Sequence, residues 1–223
     1  MNIIIPLGGV GERFSNYGYT KPKPLIKVLG KEIIFWVLDS LNISKSDNVY
    51  IPYNEFLDAY DFKEVVNSNY PNIKLTSVPN TEGPSETIRL CINHFSIEGK
   101  IVLLDGDSWY KEDIISKVRE SKSNLSVYFK SSNKEPLFSY LQLEEDKIVV
   151  IKEKIKISDN ANTGCYVFHD SNQFLNYVDK IEKKGECYIS DIISLMIYDG
   201  IEFSSLKIND YYVLGTPQQI IEF

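Results

Sequence analysis

The sequence predicts one α/β domain over residues 1–223, in three layers, with helices on both faces of a mixed, mainly parallel central sheet. Three observations predict it. Apolar runs of strand length alternate with amphipathic, helix-length stretches as far as Asp107. Beyond Asp107, strand-like pieces follow one another with little helix between them. The chain has 223 residues, 43% of them hydrophobic, which suffices for one sizeable core and is too short for two generous ones.

In order, NIII at 2–5 reads as a buried strand and KEIIFWVLDSL at 31–41 as a helix. Further strands fall at 47–53 (DNVYIPY), 73–78 (IKLTSV) and within 100–107 (KIVLLDGD), separated by helices at 62–68 (FKEVVNS) and 85–95 (SETIRLCINHF). LSVYFK, FSYLQLEE, KIVVIKEK and TGCYVF then add an antiparallel part to the parallel sheet. Helices over 171–184 and 189–199 and a terminal segment from 217 complete the pattern. The chain stops inside that last helix-like stretch without a cap, which allows for a longer parent protein.

A formal charge of −7 argues against a general nucleic-acid binder, which needs a basic face. Any phosphate site is therefore local. Residues 1–31 supply one, with Arg13, Lys21, Lys23, Lys27 and Lys31 against the single acid Glu12. Cys91, Cys165 and Cys187 are odd in number and far apart, so neither a disulfide framework nor a zinc site is expected. The apolar stretch Ile3 to Leu7 is interrupted by Pro6 and far shorter than the roughly 20 residues of a membrane span. The expectation is a cytoplasmic protein without membrane or nucleic-acid partners; homo-oligomerisation is left open.

The strongest local signal is LGGVGERFSNYGYTKPKPL at 7–25. Glycines at 8, 9 and 11 let the backbone turn after the strand and present successive N–H groups to phosphate oxygens. A tight strand-to-helix turn alone would use glycines too. The dinucleotide fingerprint is not satisfied, because Arg13 and Phe14 stand where its third glycine belongs. Arg13 is placed to brace a pyrophosphate, and the Pro22-Lys23-Pro24 segment holds one ammonium with little freedom to lose.

GGxGxRF followed by PKPL, then a carboxylate pair after an apolar strand, resembles the nucleotide-sugar pyrophosphorylase family of nucleotidyltransferases. The resemblance implies a Rossmann-like, GT-A-like fold and transfer of NMP from an NTP to a phosphorylated small molecule, typically a sugar phosphate, with release of pyrophosphate. It implies a cytoplasmic supply of activated precursors for surface polysaccharide or cell envelope. By position, Leu7, Gly8, Gly9 and Gly11 hold the triphosphate, Arg13 grips its pyrophosphate portion and Lys23 stabilises charge at the α-phosphate.

Three later segments extend the resemblance. TEGPSET at 81–87 places Glu82, Gly83 and Ser85 beside the base or ribose, although Ser85 also suits a helix N-cap. The absence of a guanine-specific pattern there favours a pyrimidine. LLDGDSW at 103–109 ends a buried strand in two carboxylates; Asp107 is the first choice for Mg2+ and Asp105 a nucleotide-side residue. Glu153, Lys154, Asn162 and Gly164 match the acceptor site, in a charge-rich stretch that would equally make a solvated face. Glu186 and Asp191 are further polar candidates, with helix capping competing for Asp191.

One departure stands out. Many relatives carry a metal-binding aspartate two residues before the terminal Gly-Thr pair, where this chain has Val213; Asp210 and Asp191 are imperfect substitutes. Two other readings remain at this level. Asp105-Gly106-Asp107 satisfies the Asp-x-Asp signature of metal-dependent glycosyltransferases, and the missing aspartate is compatible with a nucleotide-binding module that does not turn over.

Overall fold

In the computed structural model, which describes residues 1–181 and 185–223, the first apolar run forms β1 (Asn2–Ile4), an interior strand, third from one edge, of a nine-stranded sheet. After it come a four-residue helix, α1 (Glu12–Ser15), and a small ribbon of β2 (Lys27–Val28) and β3 (Lys31–Glu32). The helix expected over 31–41 is shorter, because Leu29 and Gly30 both have positive φ (49° and 85°) and turn Lys31 and Glu32 back onto β2. It runs as α2 (Ile33–Asp39). Next are β4 (Asn48–Asn54), α3 (Phe62–Asn69), β5 (Lys74–Val78), α4 (Pro84–Phe95) and β6 (Ile101–Leu104). The strands β5, β4, β1 and β6 lie side by side in that order and are all parallel.

The chain then departs from simple alternation. β7 (Ser108–Tyr110) and α5 (Ile114–Arg119) precede β8 (Asn124–Lys130), β9 (Ser139–Glu144), β10 (Lys147–Glu153) and β11 (Asn160–Phe168). Then follow α6 (Ser171–Lys180), α7 (Ile189–Tyr198), β12 (Phe203–Lys207), β13 (Tyr211–Val213) and α8 (Pro217–Glu222). The helix expected over 171–184 ends at Lys180, and residues 182–184 lie outside the described residues. β11 joins β6 antiparallel and carries the sheet onward through β8, β12, β10 and β9. Parallel pairing thus dominates the first half; in the second only β8 and β12 are parallel neighbours.

Side-chain alternation builds the three layers. Ile3 and Ile5 face a core with α2, α3 and α5, while Ile4 faces another with α4, α6 and α7. All three isoleucines are fully buried, each contributing about 1.5–3 kcal/mol. A third cluster of Phe14, Ile26, Val28, Ile33 and Leu214 anchors the N-terminal loop and the C-terminal segment to one another.

Candidate active site

The chain leaves β1 by a crossover to β4 on one side, while α4 leads to β6 on the other, so the carboxyl ends of β1 and β6 border a topological switch point. The loop after β1 is pinned at its start. Leu7 N–H donates to Pro52 O at 2.8 Å, and Asn54 Nδ2 donates to Gly8 O at 2.9 Å. A Cβ at Gly8 would stand 2.2 Å from Thr87 Oγ1, so a glycine is required there. Among the described residues the N–H groups of Gly9, Val10 and Gly11 have no partner and are available to an anion. Gly11, at φ 74°, starts α1, which presents Arg13 exposed and without an ion pair among the described residues.

Across the cleft, Lys23 donates to Asp107 Oδ2, an ion pair spanning 84 residues of chain. Pro22 caps and Pro24 lies within a short 3-10 turn, Lys23–Leu25, so the two prolines flank the lysine. Asp105 stands on the cleft floor, reached from the cleft yet surrounded by protein. That enclosure raises its carboxyl above the ordinary range; Asp107 and Glu153 push the same way and Lys23 opposes them. Its side chain rests on the bare Cα of Gly164, where a Cβ would come within 2.1 Å of Oδ2.

The opposite wall comes from β10 and the residues before α7. Glu153 accepts from Ser139 Oγ and, at 2.9 Å, from Ser190 Oγ. Lys154 Nζ donates to Tyr188 OH at 2.8 Å, and Tyr188 donates in turn to Glu186. The Tyr188 bond, more than the neighbouring carboxylates, raises the Lys154 ammonium pKa; burial opposes it. Asn162 and Gly164 line the same cleft, but Asn162 is only 3% exposed and its amide is already engaged: Nδ2 donates to Val127 O at 3.1 Å and Oδ1 accepts from Gly164 N–H.

Together these groups line a cleft of about 850 Å³. A second pocket of about 420 Å³ shares Gly9, Pro84 and Glu186 with it and is lined by Gly8, Thr81, Glu82 and Gly83. Ser85 lines neither. It is fully buried and donates to Cys187 O at 2.9 Å, while the N-cap of α4 is Gly83. With Cys187 N–H donating to Glu82 O at 2.9 Å, Ser85 fastens the two walls together.

The profile of the nucleotidyl transferase family matches residues 2–223. The chain belongs to that family. It is 25% identical over 228 residues to the bifunctional protein GlmU of Methanocaldococcus jannaschii, covering 100% of this chain and 53% of that protein. The chain spans about half the length of the curated relatives it matches. Among solved structures it superposes on the nucleoside-diphosphate-sugar pyrophosphorylase of Vibrio cholerae RC9 with a TM-score of 0.87 at 19% identity, covering 100% of this chain and 98% of that one. The inositol-1-phosphate CTP transferase of T. maritima gives 0.76 at 15% identity, covering 98% and 90%. These two show the three-layer GT-A-like fold.

Against this family background the departures gain meaning. Val213 lines the cleft on β13, beside Asp107. Neither suggested substitute reaches that place. Asp210 is exposed and its backbone bonds Lys111 and Glu112, and Asp191 caps α7 by accepting Tyr188 N–H at 3.1 Å. Trp109 does not line the cleft; it packs edge-on to Trp36 and Phe223. Sequence reasoning missed Tyr188 and Gln219, which line the cleft from positions that read as loop and helix surface.

Proposed function

We propose that this nucleotidyl transferase domain moves NMP from an NTP to a phosphorylated small metabolite, a sugar phosphate by class, releasing pyrophosphate. One observation carries the reading: an arginine and a run of loop N–H groups, without partners among the described residues, line one cleft with the Lys23–Asp107 pair and with Lys154 and Glu153. The triphosphate lies on the N–H groups of Gly9 to Gly11, with Arg13 against its β- and γ-phosphates. Lys23 leaves Asp107 for a non-bridging oxygen of the α-phosphate. Lys154 and Glu153 orient the acceptor. An acceptor phosphate oxygen then attacks the α-phosphorus in line; one P–O bond forms, the bond to the β-phosphate bridge breaks, and pyrophosphate leaves. A phosphate monoester is already ionised near neutral pH, so no protein nucleophile or strong base is needed.

Mg2+ fits this cleft through Asp107. Its Oδ2 opens over the bare Cα of Gly215, where a Cβ would intrude to 2.6 Å. No group of three or more His, Cys, Asp or Glu that could hold a metal occurs among the described residues. Magnesium takes one or two carboxylates and completes its shell with phosphate oxygens and water. When bound, it supplies positive charge to the phosphate oxygens. The reaction is assigned to the cytoplasm, feeding cell-envelope or surface-polysaccharide assembly; no described helix is long and apolar enough to cross a membrane.

The test is a grid of common triphosphates against phosphorylated sugars, alcohols and amino acids, read as pyrophosphate. Release with one acceptor class supports the reading. Tight nucleotide binding with no pyrophosphate from any pair would instead make this a binding module. Pyrimidine triphosphates are the expected donors.

A further inference from the structure

Gln219 carries a side-chain oxygen that nothing satisfies. Its Oε1 is buried, and among the described residues no donor reaches it. A buried carbonyl left unpaired is destabilising, so its retention calls for a partner that arrives with a ligand. The residue sits in the first turn of α8, where its N–H is held by Thr216 Oγ1 at 3.2 Å, and it lines the same cleft as Lys23 and Asp107. A Cβ built on Gly215 would stand 2.6 Å from Asp107 Oδ2 and 3.2 Å from Gln219 Oε1. Both oxygens therefore lie close to the same point above a single bare Cα. Val213 Cγ1, at 3.3 Å from the same point, is their apolar neighbour.

We propose that Gln219 Oε1 is the second protein ligand of the divalent cation held by Asp107. The inference rests on the function proposed above, which brings a cation to Asp107. Hard divalent cations accept neutral carbonyl oxygens alongside carboxylates. A neutral carbonyl adds no negative charge to a cleft that already holds Asp105 and Asp107. The competing role for the same side chain is the reversed amide, donating N–H to Asp107.

The two roles separate on one variant. Mn2+ serves as the probe, its free ion counted by electron paramagnetic resonance as the full chain is titrated, with circular dichroism confirming the fold of each variant. Gln219→Leu is expected to weaken Mn2+ binding by on the order of tenfold, and Gln219→Glu to tighten it. A reversed amide predicts unchanged or tighter binding in Gln219→Leu, because its N–H would compete with the cation for Asp107 Oδ2; Gln219→Glu adds a carboxylate beside Asp107 and tightens binding under either role. Unchanged or tighter affinity in Gln219→Leu, or weakened affinity in Gln219→Glu, overturns the inference and leaves the proposed function standing, provided that Asp107→Asn loses the ion. Should the wild type fail to bind Mn2+, or Asp107→Asn bind it equally well, the metal assignment itself falls and this inference with it. If Gln219→Leu does not fold, Gln219→Met, of similar length and without an amide, is read in its place.

Discussion

Lys23 spends the resting state on Asp107, so its charge is already delivered to the place where the phosphates meet the cleft. Both side chains are partly exposed, 27% and 16%, which leaves the pair open to exchange with an incoming anion. A charge at a non-bridging oxygen matters more as the pentavalent arrangement forms, so Lys23 contributes more to rate than to ground-state binding. Lys23→Ala should slow pyrophosphate release by on the order of 100- to 1,000-fold with triphosphate affinity changed much less, and Lys23→Arg should not restore it, since a planar fork replaces a compact charge. Turnover numbers and nucleotide dissociation constants for both variants check this; near-normal turnover in Lys23→Ala would remove the residue from the chemistry. Gly164 is a second test at this scale. Its φ of 78° and the 2.1 Å approach of Asp105 Oδ2 to an added Cβ leave no place for a side chain. Gly164→Ala should destabilise the fold by more than about 1 kcal/mol in urea titrations and displace Asp105, and an unchanged denaturation midpoint would contradict that geometry.

Among the elements, α5 and the segment before β4 are joined by a buried carboxylate. Asp47 accepts from Arg119 Nη1 at 2.8 Å and Nη2 at 2.6 Å, from Ser44 N–H at 2.9 Å, and pairs with the Met1 amine at 3.2 Å; its side chain is wholly enclosed. The Arg119 bonds hold its carboxyl well below the ordinary range against the opposing effect of burial. A lowered folded-state pKa means that the stabilisation is present above the unfolded value, about 3.9, and is lost as pH falls from there toward the folded value. Asp47→Asn should therefore cost roughly 2 kcal/mol at pH 7 and flatten the acid limb of stability against pH; parallel acid limbs in variant and wild type would refute the assignment. Neither partner signalled this in the sequence. α5 is six residues long, too short to show a helical period, and it went unread, as did β7, β12 and β13. β12 enters the sheet between β8 and β10, a long-range pairing that FSSLK does not announce. By contrast β1, β4 and β6 are legible because both of their faces are covered, which demands apolar runs. The same logic applies to the site. Glycines and prolines spell out a loop locally, so Gly8, Gly11 and Lys23 could be read in advance, whereas Tyr188 and Gln219 acquire their places only through tertiary contacts.

At the scale of the whole molecule, the two halves of the sheet divide the work. The parallel half presents the glycine loop and the 420 Å³ pocket, while the mixed half contributes Glu153 and Lys154. Besides the β6–β11 pairing, a seam at the cleft joins residues 82–85 to 185–188 by the Cys187 N–H to Glu82 O and Ser85 Oγ to Cys187 O bonds. Gly83 lies in that seam at φ 137°, and a Cβ there would approach Cys187 O to 2.8 Å, Cys187 N to 2.9 Å and Glu186 Cγ to 3.2 Å. Two of those three atoms are backbone, so the added carbon forces the walls apart rather than turning a side chain aside. Both pockets are lined by Pro84 and Glu186, and a shift of the seam reaches them together. Gly83→Ala is therefore expected to impair both substrates, with kcat/KM falling by on the order of 100-fold if the displacement approaches 1 Å. Lys154→Ala, on the far wall, should raise the KM for the acceptor alone. Initial rates with each substrate varied at saturating levels of the other make the comparison, on variants shown by thermal melts to be folded. If Gly83→Ala disturbed only one substrate, or Lys154→Ala disturbed both equally, the seam would not be the joint between the two sites.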